Sequence, residues 1–320
     1  MTKTYPAYIV DAFTTERFKG NAAAVCLIPE VFIQKLTEDQ YHKIAAEFNL
    51  SETAFPHPLD STSNFKTCSK FSLRWFTPTN EVPLCGHATL ATSHVLFNEI
   101  GNVNTEIQFE TKSGVLTVKK DEHGNVEMNF PKYELESLKF EDLVHQPDEH
   151  FPETPAPSFL IDVIHCVIPS KISIESVVYA PKYGGIVVIV DPETTKTEFE
   201  AFKINSTRTL ELHDGSYVRG ISISLRPSNP LAQGFVDASG EAYDYACRYF
   251  GPWDGVNEDP ATGSAQCTMA PYWGKVTGKT ELYGFQAFPT RGAQFRIRLQ
   301  DDRVILNGSS LTVLRGEINF

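Results

Sequence analysis

The sequence predicts an α+β fold made of two similar, strand-rich halves. Each half has several short apolar strands and a helix that begins at a Gly, within "GHA" at 86–88 and "GSA" at 263–265. Another Gly follows each of these glycines fifteen residues later, at 101 and 278. Self-similarity of this kind is the signature of an internal structural repeat.

In the first half, the apolar spacing over 37–50 predicts an amphipathic helix, and Thr37 with Gln40 forms a capping box at its start. A second helix is predicted over about 88–100. Runs rich in β-branched and apolar residues predict the strands of this half, at 7–13, 22–28, 51–56, 71–77, 105–110, 113–120 and 125–130.

The amino-acid composition changes at residue 131, where an acidic, Pro-rich stretch runs to about 158. We place a domain boundary there, between an N-terminal half at 1–130 and a C-terminal half at 131–308. The last strand, 309–320, is predicted to rejoin the first half. Pro271 lies inside the second repeat helix, where it removes a hydrogen bond. That helix is therefore expected to be bent, or to begin later than the repeat implies.

Composition narrows the class of protein. The chain has 320 residues, a net charge of −12 and no basic stripe, so we expect neither nucleic acid nor an anionic membrane surface as a partner. No run is long and apolar enough to span a membrane, and no signal peptide is evident, so the expected location is cytoplasmic. The six Cys lack a disulfide framework, and the nine His lack metal-ligand spacing. No metal or cofactor is predicted.

The two helix starts are the first candidates for a binding site. Unpaired backbone N–H groups and a positive dipole end favour a small carboxylate there, if the two starts face each other. Gly86 and Gly263 would let such a ligand approach the backbone closely. Taken singly, each Gly is better explained as a turn residue.

Glu52 lies between the capped helix and an apolar strand. Its neighbours two residues away, Leu50 and Ala54, are apolar, and alternation places all three on one face. A Glu on an apolar face has a raised pKa and suits general acid/base catalysis. A solvent-exposed Glu52 is the simpler alternative.

Three polar residues flank the helix starts. His87 follows the first Gly, and the helix dipole there predicts a neutral imidazole. Asp259 precedes the second helix, in an Asp-Pro turn or as a partner of the dipole. Ser264 either caps that helix or binds a ligand.

Five segments together resemble the phenazine biosynthesis PhzF-like family. They are "VDAFTTERFKGNAAAV", "NLSETAF", "RWFTPTNEVPLCGHATLA", "YACRYFGPWDGVNEDPATGSA" and "FQAFPTRGA", and they follow the family's order from end to end. The resemblance implies the diaminopimelate-epimerase-like fold, in which two pseudo-symmetric halves each wrap a mixed β-sheet around a central helix. It also implies an active site in the cleft between the halves, and frequent homodimers.

The resemblance assigns roles residue by residue. The family's acid/base Glu falls on Glu52, and its other catalytic residues on His87, Asp259 and Ser264. Substrate-binding positions fall on Gly86, Ala88, Thr262 and Gly263. The implied function is that of a cofactor-independent isomerase, in which Glu52 removes a proton from carbon on a small carboxylate-bearing substrate and returns a proton elsewhere on the same conjugated system.

Cys85 departs from this pattern. It takes the place of the first thiol in the two-thiol epimerases of the fold, whereas Thr262 takes the place of the second. A thiol at a helix start is expected to have a lowered pKa, so a Cys85-dependent dehydratase or epimerase of a small amino acid is an alternative. The simpler alternative is that Cys85 is only a small packing residue. A further alternative, from another class, is a protein-interaction role that retains the ancestral cleft.

Overall fold

The computed structural model describes residues 4–28, 36–60, 64–141 and 147–319. The chain forms two compact units, Met1–Asn129 with Ile305–Phe320, and Phe130–Val304. It leaves the first unit within the strand Val126–Pro131 and re-enters it within the strand Arg303–Gly308. The ends of the predicted halves, at 1–3 and 320, lie outside the described residues, as does part of the acidic stretch, 142–146.

The first unit is a mixed sheet with two helices. Its elements are β1 (Thr4–Ala12), β2 (Asn21–Cys26), α1 (Glu38–Phe48), β3 (Glu52–Pro58), β4 (Lys70–Phe76), β5 (Glu81–Val82), α2 (Gly86–His94), β6 (Glu106–Thr111), β7 (Gly114–Lys120) and β8 (Val126–Pro131). The C-terminal strand, which we number β18 (Ser310–Asn319), pairs antiparallel with β1.

The second unit is also a mixed sheet. Its elements are β9 (Glu136–Lys139), β10 (Glu153–Pro155), α3 (Leu160–His165), β11 (Ile174–Ala180), β12 (Gly185–Val190), α4 (Lys196–Glu200), α5 (Ser206–Leu212), β13 (Gly220–Leu225), α6 (Pro230–Gln233), β14 (Tyr245–Phe250), α7 (Gly263–Thr277), β15 (Glu281–Gln286), β16 (Ala293–Gln300) and β17 (Arg303–Gly308). Helices α3 to α6 were not predicted from the sequence. Strands β11 and β12 form an antiparallel pair.

The same pairing order occurs in both units. In the first, β1, β2, β3, β4, β6 and β7 are joined by alternating antiparallel and parallel pairings, beginning and ending antiparallel. In the second, β11 to β16 alternate in the same way. Parallel neighbours require a crossover connection, usually helical. The second parallel pair of each unit is connected through α2 or α7, so the predicted repeat is present in the topology.

Helix α2 is the central helix of the first unit. It packs against β1, β2, β3 and β18, and every residue from His87 to Ser93 is buried. Small residues allow this close packing on all sides. The prediction of a helix over 88–100 began two residues late, because the α-helix starts at Gly86 and gives way to a π-helical turn at Val95–Glu99.

Helix α7 corrects the expectation about Pro271. The helix begins at Gly263, where the repeat places it, and continues through Pro271 to Thr277. Pro271 has no N–H to offer the carbonyl of Cys267 four residues earlier. The backbone N–H of Tyr133 donates to that carbonyl instead, at an N···O distance of 3.2 Å, which is at the upper end of the ordinary hydrogen-bond range. The Pro therefore leaves no orphaned acceptor.

Local signals placed Glu52 correctly. The capping box of Thr37 and Gln40 is formed, and α1 ends at Asn49 in the left-handed conformation, three residues before β3 begins. Glu52 is thus the first residue of a strand, as the sequence indicated. No helix among the described residues is long and apolar enough to cross a membrane.

Candidate active site

Two groups of predicted site residues form, one at the start of each central helix. We call Glu52, Cys85, Gly86 and His87 the first helix entrance. Asp259, Thr262, Gly263 and Ser264 are the second helix entrance. Each lies within its own unit and is described separately below.

The first helix entrance is assembled by the packing of α2 on the sheet. Glu52 opens β3, beside Ala23 of β2 in a parallel pairing. Helix α2 packs on both of these strands, with Cys85 as its N-cap and His87 as its second residue. Residues more than thirty positions apart in sequence therefore come into contact.

His87 is the centre of this group. Its Nε2 lies 3.0 Å from Oε2 of Glu52 and 3.3 Å from Oγ of Ser51. Its Nδ1 lies 3.2 Å from the side-chain amide of Asn21 and 3.5 Å from Sγ of Cys85. The imidazole is only 5% exposed, so these contacts replace water as its polar surroundings.

The charge states differ from those predicted. Burial raises the pKa of Glu52, but the charge and contacts of His87 outweigh burial and leave the pKa of Glu52 below its ordinary value. Burial lowers the pKa of His87, whereas Cys85 and Glu52 raise it well above its ordinary value. The predictions of a raised pKa at Glu52 and a neutral His87 were wrong, because each residue has the other as a charged partner.

The prediction of a lowered pKa for the Cys85 thiol was also wrong. Burial and the Glu52 carboxylate raise the pKa of the thiol, and the contacts with His87 and the Ala88 N–H only partly offset them. A helix start lowers a thiol pKa where the group is partly exposed, but Cys85 is 7% exposed. The thiol is therefore protonated at neutral pH.

One oxygen of Glu52 remains available. Its Oε2 forms an ion pair with Nε2 of His87 at 3.0 Å. Within the described part of the chain, buried Oε2 receives no properly directed hydrogen bond. A buried carboxylate oxygen without a directed donor costs free energy and commonly marks function.

Of the two backbone positions predicted to bind substrate at the first helix entrance, Gly86 is the first helical residue and is partly exposed, whereas Ala88 is fully buried. Ala88 can therefore contribute only through its backbone. The N-cap side chain Cys85 makes no directed hydrogen bond to a helix amide. The same holds for Thr262 at the start of α7.

The second helix entrance is organised by Gln286, a residue sequence analysis did not single out. Its Oε1 accepts from the backbone N–H of Thr262 at 2.8 Å, and its Nε2 donates to the backbone oxygen of Asp259 at 2.6 Å. The hydroxyl of Thr262 donates to Oδ2 of Asp259 at 2.5 Å. The signal was present, because Gln286 lies in the quoted motif "FQAFPTRGA".

Ser264 does not cap α7. It is the second residue of the helix, and its Oγ lies 3.2 Å from the hydroxyl of Tyr183. The rings of Tyr183 and Tyr249 rest over Gly185 and Gly220, where a Cβ would come within 2.6 Å and 2.3 Å of ring or hydroxyl atoms. These two glycines are paired on the adjacent strands β12 and β13.

Arg248 holds the loop before the second helix entrance. Its side chain is 1% exposed. Its Nε and Nη2 donate to the two carboxylate oxygens of Glu258, both at 2.7 Å, and its Nη1 donates to the Phe199 carbonyl at 2.6 Å. The bidentate pair fixes the residue next to Asp259.

Known proteins resemble the whole chain. The phenazine biosynthesis-like protein family matches residues 10–172 and 225–316. The human phenazine biosynthesis-like domain-containing protein is 38% identical over 314 residues, 98% of each chain. An uncharacterized isomerase of Halalkalibacterium halodurans is 36% identical, again over 98% of each chain.

Solved structures agree. A PhzF-family protein of Enterococcus faecalis has a TM-score of 0.75 at 28% identity and covers 99% of both chains. A structure from Pseudomonas aeruginosa described as a predicted epimerase has a TM-score of 0.64 at 18% identity, over 98% of this chain and 99% of its own. These likenesses confirm the predicted α+β, epimerase-like fold. On the family match and the identity to its relatives, the chain belongs to the phenazine biosynthesis-like, or PhzC–PhzF, family.

Proposed function

We propose that this protein is a cofactor-independent isomerase that moves a proton on a small carboxylate-bearing substrate, with Glu52 as the acid/base residue. Relatives described as isomerases support an isomerase- or epimerase-type enzyme. The observation that carries the assignment to Glu52 is its buried Oε2, 3.0 Å from His87 and without a directed hydrogen-bond donor.

The chemistry proposed for Glu52 follows from its charge state. His87 keeps the pKa of Glu52 below its ordinary value, so the carboxylate is ionised at neutral pH and begins as the base. It takes a proton from carbon, and the electron pair delocalises into the conjugated system of the substrate. The same carboxyl then returns a proton to another carbon of that system, which regenerates the carboxylate without any cofactor.

The second helix entrance is proposed to bind the substrate. Ser264 and Thr262 offer hydroxyls beside the start of α7, where amides and the helix dipole favour an anion. Burial and the neighbouring Tyr249 raise the pKa of Tyr183 well above its ordinary value, so its hydroxyl stays protonated beside Ser264. Asp259 is held by Thr262 and Gln286 and is proposed to orient the substrate.

A thiol mechanism is the second candidate, because one contact favours it. Sγ of Cys85 lies 3.5 Å from Nδ1 of His87, within reach of a thiol–imidazole proton transfer. Cys85 would then abstract the proton in a dehydratase or epimerase of a small amino acid. Against it stand the raised pKa of the thiol and Thr262 in place of a second thiol.

Solvent deuterium incorporation separates the two candidates. The protein is incubated in D₂O with a panel of small amino and hydroxy carboxylates, and loss of each C–H signal is followed by NMR. We expect Glu52→Gln to slow exchange by at least about 100-fold, and Cys85→Ala to retain it. Loss of exchange in Cys85→Ala with retention in Glu52→Gln would transfer the role to the thiol.

A cytoplasmic location, a homodimer and the lack of a nucleic-acid partner remain predictions. Size-exclusion chromatography with light scattering on the purified chain tests the second of these directly. A monomer at micromolar concentration would contradict it.

A further inference from the structure

The first helix entrance has a second chemical property besides acid/base catalysis. A thiol, an imidazole and a carboxylate converge there, and one ligating atom from each of Cys85, His87 and Glu52 lies within 4.8 Å of the other two. Their backbone positions are fixed, because Cys85 and His87 flank the first residue of α2 and Glu52 opens β3.

The distances suit a small tetrahedral cation. With Zn–S near 2.3 Å and Zn–N near 2.0–2.1 Å, the edge of a tetrahedral zinc site between sulfur and nitrogen is about 3.5 Å. The distance from Sγ of Cys85 to Nδ1 of His87 is 3.5 Å. Oε2 of Glu52 contacts the other ring nitrogen, Nε2, at 3.0 Å, so the imidazole and the carboxylate must both reorient for one ion to reach all three residues.

The charges also suit a divalent cation. A thiolate and a carboxylate supply two negative charges, so a 2+ ion with a neutral imidazole leaves the buried group uncharged overall. Oε2 of Glu52, which has no directed donor within the described chain, would gain a partner. Sulfur, nitrogen and oxygen together select zinc-like ions over magnesium or calcium.

We propose that Cys85, His87 and Glu52 bind a thiophilic divalent cation such as Zn²⁺, with three protein ligands and one open position. Binding requires the thiol and the imidazolium each to release a proton. Affinity therefore increases with pH. The proposal stands on the geometry of these three residues alone.

A regulatory consequence rests on the proposed function. If Glu52 is the acid/base residue, a cation that occupies its carboxylate removes the base, so Zn²⁺ inhibits proton transfer. The inhibition would be reversed by a chelator. Glu52 is the most exposed of the three side chains, at 16%.

Cobalt spectroscopy on the intact, metal-free protein tests the site without any substrate. Co²⁺ bound by a thiolate gives a near-ultraviolet charge-transfer band, and we expect one equivalent to bind with that band and to be displaced by Zn²⁺. Cys85→Ala should lose the band. His87→Gln and Glu52→Gln should weaken Co²⁺ binding by at least about 100-fold, more than the loss of an outer-shell partner.

Cys68→Ala is the matched control, because Cys68 is another buried thiol of the same unit, and its Sγ donates to the Lys70 carbonyl outside this group. It should leave binding and band unchanged. Circular dichroism confirms that each variant is folded, and Cys85→Ser serves as a second thiol variant. No band with wild type at one equivalent, or a band that survives Cys85→Ala and Cys85→Ser, overturns the proposal.

The two proposals fail separately. Co²⁺ binding with no Glu52-dependent exchange on any substrate retains the metal site and overturns the proposed function. Glu52-dependent exchange without Co²⁺ binding does the reverse. Where both hold, Zn²⁺ should inhibit exchange equally in wild type and in Cys68→Ala, each compared with its own metal-free rate. Inhibition of wild type without inhibition of Cys68→Ala would mean that Cys68 is a ligand.

Discussion

The two helix entrances share a backbone arrangement and differ in the chemistry of their side chains. Both begin with a Gly, follow an N-cap whose side chain makes no cap bond, and lie on a crossover between parallel strands. The first contains a buried carboxylate–imidazole pair and a thiol. The second contains hydroxyls and an amide, with Asp259 held by Thr262.

This difference fits the proposed function, in which the two helix entrances have separate roles. A buried pair of opposite charges lies at the first helix entrance, where His87 and Glu52 set each other's charge. Apart from Asp259, the second helix entrance offers neutral groups that donate or accept hydrogen bonds, as binding requires. In the proposed function, the repeated scaffold supplies catalysis from one copy and binding from the other.

The largest expected effect is the loss of stability on replacing Arg248, which holds the loop before the second helix entrance. Arg248→Met leaves the Glu258 carboxylate and the Phe199 carbonyl without their buried partner. We expect the free energy of unfolding to fall by about 3–5 kcal/mol, measured by urea denaturation. Replacing Glu258 as well, in Arg248→Met with Glu258→Leu, should recover much of the loss.

An exposed ion pair is the control for this comparison. Arg208 and Glu211 make the same type of contact at 3.2 Å, with side chains 56% and 58% exposed. Arg208→Met should cost less than about 1 kcal/mol. Equal losses in the two variants would show that burial of Arg248 is not what stabilises the loop.

The second prediction tests whether the first entrance is the one that titrates. The lowered pKa of Glu52 gives stability that is present above about pH 4.3 and lost as pH falls through the folded pKa. The raised pKa of His87 gives stability that is present below about pH 6.5 and lost as pH rises through the folded pKa. The ion pair therefore contributes fully between these two values.

His87→Gln measures that contribution. The difference in unfolding free energy between wild type and His87→Gln should be largest at about pH 5–6 and should narrow at alkaline pH. Ser264→Ala, at the second entrance, should differ from wild type by the same amount at every pH. A His87→Gln difference that does not vary with pH would mean that the pair is neutral throughout.

Protonation of His87 also affects its neighbour Asn21. An imidazolium donates from both ring nitrogens. Nδ1 of His87, however, lies 3.2 Å from the side-chain amide nitrogen of Asn21, which is also a donor. Rotation of the Asn21 amide by about 180° presents its oxygen to Nδ1 instead. Protonation of His87 is therefore coupled to the orientation of Asn21.

Local patterns predicted the elements but not the partners. The capping box at Thr37 and the Gly repeat located α1, α2 and α7 because caps and helix starts are encoded by neighbouring residues. The pKa predictions for Glu52 and His87 failed because each depended on a residue 35 positions away, brought close only by packing of α2 on β3.

The same reason explains the other errors. Arg248 has no visible partner in its own strand, and its burial depends on Glu258 and the distant Phe199 carbonyl. Sequence distance likewise hid the contact of Gln286 with the loop before α7. Short helices such as α4, five residues long, carry too few residues for a helical period to be recognised.

The smallest expected effect separates the two central helices. A Pro in a helix interior ordinarily costs about 3 kcal/mol. In α7 the carbonyl that Pro271 leaves unpaired already accepts from the Tyr133 N–H, so Pro271→Ala should change the free energy of unfolding by less than about 1 kcal/mol.

His94 occupies the corresponding place in α2, eight residues after its first Gly. His94→Pro, compared with His94→Ala to remove the effect of the lost side chain, should cost at least about 3 kcal/mol by the same urea assay. If Pro271→Ala instead stabilised the protein by about 3 kcal/mol, the Tyr133 hydrogen bond would not compensate for the missing N–H. The two helices would then tolerate Pro equally poorly, and α7 would owe its continuity to packing alone.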